Sequence, residues 1–75
     1  EEKVTISLTN GKKFTIIANG SSRVKKYIQK AYLNGKEISG PFITHEQIMT
    51  GGNLELVLDE LPDKEWGKNA VIPKF

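Results

Sequence analysis

His45, Asp59, Glu60, Asp63 and Glu65 are the side chains of this 75-residue chain whose types and spacing could move a proton or hold a cation. His45 is the single histidine and stands between Thr44 and Glu46, where an imidazole could serve as acid or base. The same position is that of a helix-start residue with a structural hydrogen bond, and the neighbours favour that bland role. The carboxylates at 59, 60, 63 and 65 lie close enough in sequence for a calcium site or an acid–base pair, but the ligand order of an EF-hand loop with its central glycine is missing. With Lys64 and Lys68 interspersed, the segment reads as a solvated loop. Serine and threonine are plentiful, yet no GxSxG context presents one as a nucleophile, and there is no cysteine to supply a thiolate or a disulfide. Gly51-Gly52 lacks the GxxxxGK sequence of a phosphate-cradling loop and reads as a helix stop.

The composition bounds what these residues could belong to. A chain this short makes one domain and buries about 60% of the surface its unfolded form exposes, which leaves a thin core and no room for a large enclosed site. Eleven Lys and Arg against nine Asp and Glu give a net charge of +2, with only Arg23, Lys25 and Lys26 forming a mildly basic stretch. Nucleic-acid binding needs a larger and more clustered excess, so that class is excluded. No apolar run exceeds three residues, as in Ile16-Ile17-Ala18, which excludes a membrane-spanning helix and a signal-peptide core. The sequence opens Glu1-Glu2 without an initiator Met and closes "NAVIPKF", so we expect a fragment of a longer chain.

The elements follow from alternation and punctuation. "KVTISL" places Val4, Ile6 and Leu8 on one face, and "KFTIIA" places Phe14, Ile16 and Ala18 on one face. Asn10-Gly11 between them predicts a tight hairpin over residues 3 to 18. "NGSSR" then reads as a flexible connection. Residues 24 to 33 are ambiguous: Val24, Tyr27, Ile28, Ala31 and Tyr32 fit a helical stripe, with Ser21 or Ser22 as a cap. Asn34-Gly35 directly after Leu33 is a hairpin turn and favours a strand at 27 to 33 turning into "KEI". With strict alternation, Tyr27 and Tyr32 fall on opposite faces of that strand. Thr44 and Gln47 predict a capping box for one short helix, stopped by Gly51-Gly52, and "NLELVLD" alternates Leu54, Leu56 and Leu58 against Glu55, Val57 and Asp59. The expected fold is mainly β: a small antiparallel sheet or sandwich-like domain of about five strands with one short helix.

Two resemblances compete. The opening hairpin, the "NGKEI" turn, the "THEQI" helical turn and the closing "LELVL" strand resemble a ubiquitin-like β-grasp interaction domain. That fold needs a long helix and a returning strand between hairpin and turn, and residues 19 to 33 have room for one of them. The blocks "FTIIA" at 14 to 18, "KYIQKAYLNGK" at 26 to 36, "ITHEQIMTGG" at 43 to 52 with "LELVL", and "PDKEWG" at 62 to 67 resemble the C-terminal β domain of glycoside hydrolase family 92 over nearly the whole chain.

This resemblance implies that the parent is similar to bacterial, periplasmic or secreted, calcium-dependent inverting α-mannosidases that trim terminal mannose from glycans. Inversion needs an acid and a base carboxyl about 6.5–9.5 Å apart. In the family these groups and the calcium ligands belong to other domains, so no catalytic residue and no metal ligand is carried over to this chain. The implied partner is the catalytic domain of the same parent, with glycans reached through it; the isolated fragment is expected to self-associate through uncovered edges. The remaining alternative is a carbohydrate-binding module, whose exposed rings stack on sugar C–H faces. Trp66, Tyr27, Tyr32 and Phe42 are the rings of suitable type. His45, inside the matched "THEQI" block, and Trp66, in the tail, are the candidates for carbohydrate or interdomain contact.

Overall fold

The computed structural model describes residues 2–20, 27–40, 42–61, 63 and 65–68. The Ser21 and Ser22 caps, the rest of the "NGSSR" connection beyond Gly20, the basic stretch at 23 to 26 and the closing "NAVIPKF" lie outside them. The described chain runs β1 (Glu2–Ser7), β2 (Lys13–Asn19), β3 (Tyr27–Leu33), β4 (Lys36–Ile38), α1 (His45–Met49) and β5 (Gly52–Asp59). The expected mainly β architecture of five strands and one short helix is what forms.

The strands make one sheet in the order β1-β2-β5-β3-β4. Hairpin pairing joins β1 to β2 and β3 to β4, and β5 inserts between the two hairpins, antiparallel to β3 but parallel to β2. The sheet is therefore mixed where alternation alone suggested antiparallel. A parallel neighbour requires a long crossover, and residues 20 to 51 supply it. Because 27–33 is a strand, the long helix of a β-grasp has no place here.

The two turns differ. At Asn34-Gly35 both residues take positive φ, +51° and +83°, and Leu33 pairs directly with Lys36, the two-residue geometry that Asn-Gly favours. The first turn is longer than its Asn-Gly pair suggested. Ser7 pairs with Lys13, a loop of five residues intervenes, and Gly11 alone there takes positive φ, at +84°. Asn10 instead uses its side chain: Oδ1 accepts the Lys12 N–H at 2.9 Å, and Nδ2 donates to the Met49 carbonyl at 2.8 Å. That second bond ties the hairpin to the end of α1. The helix starts as expected, with Thr44 Oγ1 accepting the Gln47 N–H at 3.1 Å and Gln47 Oε1 accepting the Thr44 N–H at 2.7 Å.

Register shows which side chains share a face. Phe14, Ile16 and Ala18 align with Gly52, Leu54 and Leu56, and the row continues to Leu33 and Ala31. This is the apolar face, and on it Phe14 and Ala31 are fully buried at 1% and 0% exposure. A bulge interrupts β3 between Ile28 and Lys30. Ile28 pairs with Leu58 and joins the apolar face, while Tyr27 pairs with Asp59 and Tyr32 with Glu55. Asp59 and Glu55 are four residues apart on one strand and so point the same way. The strict alternation expected for β3 is thus corrected: the extra residue at Gln29 brings Tyr27 and Tyr32 onto the same, polar face, about 13 Å apart at 3.3 Å per residue.

Candidate functional site

A groove of about 270 Å³ runs beside β4, where the chain after β5 returns past the sheet edge; its walls include Gln29, Lys30, Glu37, Ser39, Asp63 and Trp66. The strands set one wall. Lys30 lies two residues from Tyr32 on β3, and Glu37 pairs with Tyr32 across the β3–β4 hairpin, so both polar groups stand on the polar face next to that ring. Gln29 is placed by the bulge, and its Nε2 donates to the Leu61 carbonyl, which fastens the returning chain to β3.

The other wall is a run of turns. Asp63 Oδ1 accepts the Glu65 N–H at 3.0 Å, the Asp63 carbonyl accepts the Trp66 N–H at 3.2 Å, and Gly67 takes φ +82° to turn the chain away. These bonds fix the backbone at Trp66, whose ring is half-buried. Its Nε1 is buried with no hydrogen-bond partner among the described residues, so packing rather than an internal hydrogen bond holds the ring. Glu65 pairs with Lys68 at 3.6 Å, an exposed ion pair of little energetic weight.

Among the sequence candidates, Trp66 lines the groove and His45 does not. His45 opens α1 as an exposed side chain, consistent with a helix-start residue. The carboxylates at 59 to 65 separate: Asp63 and Glu65 line the groove, while Asp59 Oδ1 accepts the Glu60 N–H at 2.7 Å at the end of β5. Among the described residues no three His, Asp or Glu side chains gather as cation ligands. The described residues here do not fit calcium. Lys30, Glu37 and Gln29 were missed by sequence reasoning, because their meeting depends on the bulge.

What the groove offers is one aromatic surface, an ammonium, an amide and carboxylates around a shallow opening. Such a set can hold a ligand carrying both C–H surface and hydroxyls.

Comparison with known proteins identifies the chain's relatives. Residues 1–60 match the family model described as the glycosyl hydrolase family 92 catalytic domain, and the chain belongs to that family. The fold superposes on a family 92 inverting mannosidase of Bacteroides thetaiotaomicron with a TM-score of 0.81 and 33% identity, covering 93% of this chain and 10% of that one. A family 92 α-mannosidase from the same organism gives a TM-score of 0.84 and 30% identity, over 96% of this chain and 10% of that one. A protein of Arthroderma benhamiae described as an uncharacterized secreted glycosidase is 49% identical over 51 residues, 65% of this chain and 6% of its own length. The chain thus spans about a tenth or less of the length of these relatives.

Proposed function

We propose that this chain is the non-catalytic C-terminal β unit of an exo-acting, inverting α-mannosidase, which packs against the catalytic domain of its own parent and supports it. The observation that carries the reading is the coverage: more than nine-tenths of the chain superposes on one-tenth of two family 92 mannosidases. Coverage of that proportion supports a component of a larger enzyme, and on this reading the acid, the base and the calcium site of the parent are expected in its other parts. The relative described as a secreted glycosidase supports a parent that works outside the cytoplasm.

The sheet's chemistry agrees with docking. Val4 and Ile6 sit on the apolar face of the edge strand β1 yet remain 59% and 42% exposed. Full burial of such side chains stabilises by about 1.5–3 kcal/mol each. An apolar edge of this kind is suited to cover by another domain.

The test is mannose release from an α-linked mannobiose by the isolated chain and by the parent enzyme, each with and without calcium. Release by the parent alone, lost when calcium is removed, is the expected result. Release by the isolated chain overturns the reading.

A further inference from the structure

We propose that the polar face of the sheet binds saccharide, with Trp66 and Glu37 as the centre of the contact and Tyr32 beside them. Three independent features converge. The bulge at Gln29 puts Tyr27 and Tyr32 on one face, and Tyr27 is 46% exposed at its end. Glu37 pairs with Tyr32 and also lines the groove, which puts the Tyr32 position next to the groove on the polar face. Among the described residues neither Lys30 nor Glu37 stands in an ion pair; the pair formed there is Lys68–Glu65.

The chemistry selects the ligand class. A pyranose presents C–H groups on its faces and hydroxyls around its rim, so it is held by a flat ring below and by acceptors and donors at the side. The groove supplies the Trp66 ring, the Glu37 carboxylate as acceptor, and the Lys30 ammonium as donor. An anionic ligand would meet Glu37, Asp63 and Glu65 against Lys30, and is disfavoured. A purely apolar ligand would desolvate the same charges at a cost. At about 270 Å³ and open to solvent, the groove suits one or two sugar rings held weakly. The choice of a mannoside as probe rests on the family reading above; the ring-and-carboxylate chemistry does not.

Trp66 is the only tryptophan, so its indole N–H gives one isolated proton–nitrogen signal. The experiment titrates α-linked mannobiose into the ¹⁵N-labelled chain after dispersed amide signals establish that it is folded. Saturable shifts at the Trp66 indole and at the Tyr32 and Glu37 amides, in the millimolar range, are expected. Glu37 lies on the short edge strand and is exposed, so Glu37→Ala is expected to keep the fold and weaken binding about tenfold, as loss of a hydrogen bond to a charged group does. The proposal is overturned by no saturable shift across the millimolar range, by shifts confined to the Val4 and Ile6 side, by equal shifts with glycerol, or by unchanged binding in Glu37→Ala. Those failures leave the accessory-domain reading standing, whereas appearance of free mannose in the sample overturns that reading alone.

Discussion

Asn34 and Asn53 clasp each other at the start of β5: the Asn34 N–H donates to the Asn53 carbonyl at 2.9 Å, and the Asn53 N–H donates to Asn34 Oδ1 at 2.8 Å. The clasp joins the β3–β4 turn to the central strand. It works because residue 52 is glycine, with φ +113° and no Cβ; a methyl there would collide with Asn34 Oδ1. Gly52→Ala is therefore expected to cost at least about 1–3 kcal/mol from backbone strain alone. Asn34→Gly keeps the positive φ and removes only the side-chain acceptor, at about 0.5–1.5 kcal/mol. Urea denaturation of both variants and the double variant is the check: the Gly52→Ala cost is expected to shrink in the Asn34→Gly background, since the collision partner is gone. Strict additivity would show that the two residues do not interact.

Phe14 carries the thin core. At 1% exposure it is the largest fully buried side chain among the described residues, and Phe→Ala in such a setting costs about 3–5 kcal/mol. A domain this small has roughly that much stability in total. Phe14→Ala is expected to lose its far-ultraviolet β signal at room temperature; a cooperative, native-like thermal transition in that variant would contradict the burial.

Much of this fold is legible in the sequence, and the unread part has two causes. The strands announced themselves through alternation, and Asn34-Gly35 through turn chemistry, because both signals are local. The bulge was hidden in plain view: an extra residue in a strand changes the spacing of its buried positions from two to three. Ile28 and Ala31 are three apart for that reason, and the same spacing is what made 24 to 33 look helical. Once Gln29 is counted as the inserted residue, the ambiguity disappears and the two tyrosines share a face. The parallel β2–β5 pairing is a long-range choice with no local mark. The groove at Trp66 inherits both problems, since its Glu37 and Lys30 walls are set by the bulged pairing and its far wall by a segment without periodicity.

The helix start is a local device and should respond locally. Thr44→Ala removes the Oγ1 that accepts the Gln47 N–H, and is expected to cost about 0.5–2 kcal/mol in thermal or urea unfolding. His45→Ala, one residue on, is expected to change stability by less than about 0.5 kcal/mol, as an exposed substitution away from caps and core does. A larger loss at His45 than at Thr44 would reverse the assignment of which residue holds this turn.

The β1 edge is where an uncovered chain should betray its missing neighbour. Every residue of β1 is exposed, its outer backbone groups face away from β2, and Val4 and Ile6 continue the apolar face to the boundary of the sheet. Such a strand offers both backbone pairing and apolar contact to a second copy. Sedimentation velocity of the isolated chain is expected to show a coefficient that rises with concentration. Val4→Lys and Ile6→Lys put charge on that strand; Val4 pairs with Ile16 and its change should leave the unfolding free energy within about 0.5 kcal/mol, whereas Ile6 pairs with Phe14 and its change is expected to cost more, and either should abolish the rise. In the parent enzyme the same substitutions should lower thermal stability, because there the edge is covered and each lysine must be desolvated. A wild-type chain that stays monomeric at every concentration, together with a parent indifferent to Val4→Lys and Ile6→Lys, would mean that this edge faces solvent in both settings and that docking uses another surface.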